Sequence, residues 1–121
     1  MARYVDGFLI PIPKKNVKRY QSIARAAGRI WREYGALEYV ECVGDDVSMK
    51  GSPASFPRRV RAKPNEAVVF SWIVYRSKAH RDRVNKKIMK DPRILKMMER
   101  QENPFDPKKM SYGGFEVLVE A

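Results

Sequence analysis

The sequence predicts an α+β domain of the βαββαβ type, in which two helices cover one face of a four-stranded antiparallel sheet. Strand-like and helix-like hydrophobic patterns follow one another in the order strand, helix, strand, strand, helix, strand. The length of 121 residues suits one hydrophobic core, so we expect a single domain over residues 1–121. Apolar side chains also occur on both faces of the predicted strands, so both faces of the sheet need cover.

The N-terminal part of the chain predicts a strand followed by a helix. Apolar residues alternate over residues 3–12, and Pro11 and Pro13 are expected to end the strand pairing. Residues 14–34 carry apolar side chains three and four positions apart, which is the period of an amphipathic helix. Gly35 predicts the end of this helix, because glycine adopts the left-handed cap conformation without a Cβ penalty.

The middle of the chain predicts two strands separated by an irregular excursion. Residues 37–43 alternate as the second strand. Residues 44–66 are rich in Gly, Pro, Ser and Asp and show little periodicity, so we expect an excursion with an irregular edge strand near residues 56–62. Residues 67–75 form the most strongly apolar run, rich in β-branched and aromatic side chains, and they predict a central strand.

The next segment predicts two consecutive helices. Ser77 is expected to be the N-cap of a helix that continues to about Lys90. Asp91 and Pro92 then predict a new N-cap followed by proline at the first helical position, which begins a shorter helix.

The last predicted strand completes the sheet, one face of which is then left without a covering helix. Residues 110–119 form this strand, in which Gly113 and Gly114 either thin the strand for close packing or mark a β-bulge. Helices can cover only one face of such a sheet, and the simplest cover for the other face is a second copy of the same sheet. We therefore predict a homodimer that forms through the sheet.

Composition limits the compartment and the partners. The chain has no apolar run long enough for a membrane span or a signal peptide, and Cys42 is its single cysteine, so we expect a cytoplasmic protein without membrane association. His80 is the single histidine, which excludes a histidine-rich metal site, and we expect neither a metal nor a cofactor. The net charge of +11 favours contact with a polyanion without establishing it.

Carboxylates inside otherwise apolar strands are the first candidates for chemistry. Asp6, Glu41 and Glu116 are such residues, and a general acid or base would be one of them. Burial in an apolar, aromatic pocket would raise the pKa of such a carboxyl group. The alternative is structural, because carboxylates in strands also end in solvent or form pairs with Arg or Tyr that fix strand register. The candidate ligand-binding residues are Phe8, Phe70, Ser71, Trp72 and Tyr112.

His80 and Cys42 complete the list of reactive candidates. His80 lies in the first turn of a helix among Lys78, Arg81 and Arg83, whose charges would keep it neutral near pH 7, as a catalytic base requires. We nevertheless expect this histidine to be exposed on a charged helix. Cys42 would be a reactive thiol only beside a cation that lowers its pKa. We expect it to be a small buried hydrophobic side chain instead.

Basic residues are concentrated on the predicted helices. Residues 76–100 contain ten Lys or Arg and three acidic residues. Such a face would attract phosphate groups in a salt-dependent way, but no zinc spacing, Gly-rich phosphate loop or aromatic strand motif accompanies it. Charged helix faces are commonly just solvated. A protein that binds a small organic molecule is therefore one of three hypotheses. The other two are a polyanion-binding or RNA-binding module and a structural or stress dimer without catalysis.

Several segments, in order along the chain, match a known family. They are Tyr4-Val5-Asp6-Gly7-Phe8, Gly35-Ala36-Leu37, Val40-Glu41-Cys42, Val68-Val69-Phe70-Ser71-Trp72-Ile73, Asp91-Pro92-Arg93, Pro104-Phe105-Asp106 and Tyr112-Gly113-Gly114-Phe115-Glu116. The chain resembles the YbaA-like bacterial family of unknown function from Arg3 to about Glu120. The resemblance implies a dimeric α/β-barrel, a ferredoxin-like architecture in which two sheets pack face to face.

The sequence predicts a class of function and not a specific reaction or substrate. The resemblance provides no catalytic residues to transfer, and fold alone does not determine function. The residues and the resemblance together predict a small homodimeric α/β-barrel that binds a small organic molecule in a pocket between sheet and helices. Whether it also catalyses a cofactor-independent reaction is left open by the sequence.

Overall fold

A computed structural model describes residues 2–47, 52–99 and 103–121, and the described chain forms a four-stranded antiparallel sheet of order β2-β3-β1-β4. Two 3-10 turns, Lys14–Asn16 and Pro107–Lys109, precede α1 and β4. This is the α+β, ferredoxin-like arrangement that the alternation of patterns predicts. The strands are β1 (Tyr4–Pro13), β2 (Glu38–Val43), β3 (Glu66–Tyr75) and β4 (Ser111–Glu116), and the helices are α1 (Val17–Glu33), α2 (Phe56–Arg59), α3 (Lys78–Ile88) and α4 (Pro92–Glu99).

Strand β1 continues to Pro13, because its prolines do not end the pairing as predicted. Pro11 lies opposite Val68 and Pro13 lies opposite Glu66, so β1 pairs with β3 along its full length. Proline removes only its own N–H from the ladder, and the pairing of β1 with β4 already ends at Leu9. Beyond that point one side of β1 is an open edge, where a missing donor is tolerated.

The excursion contains a helix where we expected an edge strand. Residues 56–59 form the short helix α2, with Pro57 in its first turn, where the absent N–H has no intrahelical partner to lose. The ring of Phe56 packs edge-on against Phe70 of β3, with ring centroids 6.1 Å apart. The predicted edge strand is therefore wrong, and residues 48–51 of the excursion lie outside the described residues.

The predicted helix ends are confirmed by their backbone and side-chain geometry. Gly35 has a φ of 109° directly after α1 and its following turn. The Ser77 side chain accepts a hydrogen bond from the His80 N–H at 3.1 Å, which caps α3. The Asp91 carboxylate accepts from the Arg93 N–H at 2.8 Å and begins α4. None of the helices within the described ranges combines the length and the apolarity that crossing a membrane requires.

The glycine pair of the last strand favours close packing over a bulge. Gly113 lies directly opposite Gly7 in an uninterrupted register. A Cβ at Gly114 would overlap the ring of Tyr4, so a side chain is excluded there. Strand β4 ends at Glu116, although the Val117 N–H still donates to the Arg3 carbonyl at 2.9 Å.

The two faces of the sheet differ in their cover. The helix side carries the buried core, in which strand residues pack against α1, α3 and α4; its fully or nearly buried members include Ile12, Ile30, Ile73, Tyr75, Val84 and Ile88. On the opposite face, Phe70 is 44% exposed and Phe115 is 63% exposed. No described helix other than the short α2 reaches this face, so the sheet keeps one open, apolar side.

Candidate functional site

The structure separates the three candidate carboxylates. Asp6 is buried on the helix side of β1, Glu41 lies on the helix side of the edge strand β2, and Glu116 is exposed at the end of β4. Glu116 therefore has the solvent-exposed position that the structural alternative allowed. Of the three, Glu41 lines the cleft between α1 and β2.

The cleft beside Glu41 is formed by the edge of the sheet and the first helix. It lies between α1 and β2 and has a volume of about 880 Å³. Its apolar walls include Ala24 of α1 and Val43 of β2, together with Val69 of the neighbouring strand. The cleft is therefore large enough for a small organic molecule and offers it both apolar surface and a carboxyl group.

Two tyrosine hydroxyls hold the Glu41 carboxylate. The Tyr20 hydroxyl donates to Glu41 Oε1 at 2.7 Å, and the Tyr39 hydroxyl donates to Glu41 Oε2 at 3.0 Å. Ser71 lies opposite Glu41 in the strand register, and its hydroxyl lowers the pKa of this carboxyl group. One predicted ligand-binding residue, Ser71, thus accompanies one predicted catalytic residue.

Burial controls the protonation of this group of residues. Desolvation raises the pKa of Glu41 above its usual value and outweighs the hydrogen bonds from Tyr20, Tyr39 and Ser71, which lower it. Burial also raises the pKa of each tyrosine hydroxyl, and the neighbouring Glu41 charge raises it further. Both tyrosines are consequently protonated donors at neutral pH, and the carboxyl group binds a proton more readily than an exposed glutamate.

The local sequence explains how these residues meet. Tyr39 and Glu41 are two positions apart on β2, so their side chains lie on the same face of the strand. Tyr20 belongs to the inward stripe of α1. Gly28 of α1 allows the contact, because a Cβ at this position would lie 2.6 Å from Cδ1 of Tyr39.

The aromatic candidates line a different hollow. These residues border an apolar space of about 540 Å³ over the open face of the sheet, which the rings of Phe70 and Trp72 face. The Phe8 ring packs into the helix-side core instead and stacks on Tyr112. Gly7 and Gly113 also border the space, and the absence of their side chains deepens it. No described carboxylate borders this space, so the structure does not combine these aromatic residues with Glu41 in one pocket.

Asp6 forms a partly buried ion pair with Arg81. Arg81 Nη1 lies 2.7 Å from Asp6 Oδ1, and the Arg81 guanidinium stacks on the Tyr4 ring at 4.8 Å. Desolvation raises the pKa of Asp6, outweighing the opposing effects of Arg81 and of a hydrogen bond from Asn85. This pair joins α3 to β1 and fits the structural alternative for a carboxylate inside a strand.

His80 is buried, so the expected exposure is wrong. Only 4% of its surface is exposed, its Nδ1 accepts from the Arg76 N–H at 3.0 Å, and its ring packs edge-on against Tyr75. Burial lowers the pKa of this imidazole, as do the charges of Arg76 and, to a smaller degree, Arg83 and Lys87. His80 lies outside the residues that line the Glu41 cleft.

Cys42 is exposed, which corrects the expected buried position. Its side chain belongs to the edge strand β2 and lies on the open face, opposite Phe70 in the register. An edge strand has no neighbour on one side, and this face has no helix to cover it. Among the described residues, no group of three or more His, Cys, Asp or Glu side chains could hold a metal ion.

The basic residues of α3 lie on its solvent side. Within the ion pairs that the structure describes, the one acid of this helix, Asp82, is bound by Arg81 at 2.8 Å. The polyanion alternative stays a prediction that this geometry does not test. The exposed cations of α3 and the turn after it are Lys78, Arg83, Lys86, Lys87 and Lys90.

Comparison with known proteins supplies the family. The sequence profile of the family described as "Protein of unknown function (DUF1428)" matches residues 3–107. The chain is 44% identical over 118 residues to the uncharacterized protein YbaA of Escherichia coli K12, and 98% of each chain is covered. The identity and the coverage are the same for YbaA of Shigella flexneri.

A solved structure agrees with the fold. It is a dimeric ferredoxin-like protein from an uncultured marine organism, with a TM-score of 0.60, 8% sequence identity and full coverage of both chains. At this identity the likeness concerns the fold alone, and it confirms the ferredoxin-like class. The match over residues 3–107 and the 44% identity to YbaA show that the chain belongs to the DUF1428 family.

Proposed function

We propose that the protein binds a small organic molecule in the cleft between α1 and β2 and exchanges a proton with it through Glu41. The observation that carries this proposal is the Glu41 carboxyl group itself, which lines a cleft of about 880 Å³ with a raised pKa and two tyrosine donors. General acids and bases in enzymes commonly have a shifted pKa and lie beside an open cleft, as the Glu41 carboxyl group does.

The hydrogen bonds define a path for the proton. A bound molecule that gives up a proton from carbon or oxygen would pass it to the Tyr20 hydroxyl oxygen as the Tyr20 proton moves to Glu41 Oε1, 2.7 Å away. The tyrosine stays neutral throughout, as its raised pKa requires. Return of the proton to another atom of the same molecule would complete an isomerisation that needs no cofactor, oxidant or reductant.

Binding and proton exchange can be measured separately. We expect members of a fragment library to shift the amide resonances of Tyr20, Tyr39 and Val43 in a nitrogen-15 NMR screen. Bound fragments with an acidic C–H should take up deuterium from D2O in the wild-type protein. Replacing Glu41→Gln should slow this uptake by about 100-fold or more, since it removes the final proton acceptor.

Glu116→Gln is the matched control, because it removes the same charge from an exposed carboxylate outside the cleft. Its deuterium uptake should equal that of the wild type. A screen in which no fragment shifts the resonances of the cleft would overturn the binding proposal. Equal uptake in the wild-type and Glu41→Gln proteins would overturn the role of Glu41.

We further infer that a second copy of the chain covers the open face of the sheet. Phe70 and Phe115 are exposed there, beside an apolar hollow of about 540 Å³, and the similar solved structure is described as dimeric. Large exposed apolar surface of this kind is typical of a protein interface.

The cytoplasm stays the predicted compartment, supported by the single cysteine.

Replacing Phe115→Glu is expected to weaken this dimer by about 30-fold or more, because it places a charge in an apolar interface. Sedimentation velocity at micromolar concentration should show a dimer for the wild type and a monomer for the variant, with unchanged circular dichroism. Met89→Glu, on the helix side, is the control, since Met89 is similarly exposed at 53%. A monomeric wild type, or a Phe115→Glu protein as dimeric as Met89→Glu, would contradict the inference.

A further inference from the structure

Two arginines at the Glu41 cleft have no partner within the described chain. Arg25 and Arg29 lie one turn apart on α1 and line the cleft. Neither takes part in a hydrogen bond or an ion pair among the residues that the structure describes. They are therefore two exposed guanidinium groups beside a cavity, and no described residue binds their N–H donors.

The other charged residues near these arginines are already engaged. Arg32 donates to the carbonyls of Ala36 and Leu37, and Glu33 forms an ion pair with Arg93 at 2.8 Å. Glu41 is bound by its two tyrosines. No carboxylate that lines the cleft is thus left to neutralise Arg25 or Arg29.

We propose that the ligand of this cleft is a small organic acid whose carboxylate binds Arg25 and Arg29. The inference rests on the proposed function and specifies its ligand. A guanidinium presents paired N–H donors that match a carboxylate, and such charge-assisted bonds are stronger than neutral ones. The uncharged part of the same molecule lies toward Tyr20 and Glu41, because the Glu41 carboxylate repels a second negative charge.

The spacing along α1 sets the size of the acid. Tyr20 and Arg25 are five residues apart, which corresponds to about 7.5 Å along a helix axis and about 140° of rotation around it, so the axial rise is a lower limit on their separation. The Tyr39 ring packs against Gly28 of the same helix, and its hydroxyl donates to Glu41, so the cleft offers an aromatic surface beside the carboxyl group. Ala24 and Val43 add apolar surface. An acid with a ring or an alkyl body is long enough for this separation and matches this apolar surface.

Matched acids and amides test the inference. We would titrate the protein with phenylacetate and phenylacetamide, and with cyclohexanecarboxylate and its amide, and follow the amide resonances of the cleft by NMR. The wild type should bind each acid about 10-fold or more tightly than its amide, the size expected for one charge-assisted contact. The double variant Arg25→Gln/Arg29→Gln should bind acid and amide equally.

The control variant is Arg83→Gln/Lys86→Gln, which removes two positive charges from exposed positions on α3, outside the cleft. It should keep the preference of the wild type for the acid. Equal binding of acid and amide by the wild type would overturn the inference and leave the proposed function standing. Loss of the preference in the control as well would overturn the inference, because the preference would then be an effect of net charge. Binding of neither member by the wild type would also overturn the inference, and the fragment screen decides the proposed function separately.

Discussion

Replacing Gly28→Ala is expected to destabilise the protein by about 1–3 kcal/mol, the usual cost of overfilling a packed interior. At an ordinary helix position the same substitution stabilises by up to about 1 kcal/mol, because alanine has the higher helix propensity. The sign reverses here because the new Cβ would lie 2.6 Å from Cδ1 of Tyr39. The Tyr39 ring has to move, and its hydroxyl then leaves Glu41.

A double-mutant cycle isolates this contact. In a Tyr39→Leu background the ring is absent, so Gly28→Ala should be neutral or stabilising by up to about 1 kcal/mol. Urea denaturation of the four proteins gives the coupling free energy, and NMR of Glu41 reports whether its surroundings change. An equal loss of stability in both backgrounds would show that Tyr39 is not the group that excludes a side chain at position 28.

Replacing Arg81→Met is expected to cost about 3 kcal/mol of stability at pH 7, because it leaves a buried carboxylate without its partner. Asp6 is 8% exposed and lies 2.7 Å from Arg81 Nη1. Arg83→Met is the control: Arg83 is an exposed arginine of the same helix, and its loss should change stability by no more than about 0.5 kcal/mol.

The cost of Arg81→Met should depend on pH in a defined direction. Burial raises the pKa of Asp6 in the folded protein above its usual 3.8, and removal of Arg81 takes away an effect that lowers it. A raised carboxyl pKa means that the folded state binds more protons, so stability falls as pH rises above about 4. Relative to the wild type, the variant should therefore lose most stability at neutral pH and least below pH 4. A loss independent of pH between 4 and 7 would contradict an uncompensated Asp6.

The order of strands and helices could be predicted because each element carries a local signal. The stripe of α1, the apolar run of β3 and the caps at Ser77 and Asp91 all depend on residues near in sequence. The errors come from tertiary context. Pro11 stays in β1 because the neighbouring strand has already ended, and Phe56 belongs to a helix anchored on Phe70.

The candidate site could be predicted only in part. Glu41 stands out as a carboxylate in a strand, and its spacing from Tyr39 already places both on one face. The approach of Tyr20 could not be predicted, because it depends on how α1 packs across β2. The same limit explains His80, which a charged helix suggests is exposed but which packs against Tyr75.

The exposed thiol of Cys42 makes the protein a natural reporter of its own contacts. It is the single cysteine of the chain, it belongs to the open face of the sheet, and it also borders the Glu41 cleft. A maleimide dye therefore reacts at one defined position of the unaltered protein. Its reaction rate distinguishes an accessible open face of the sheet from one covered by a second chain.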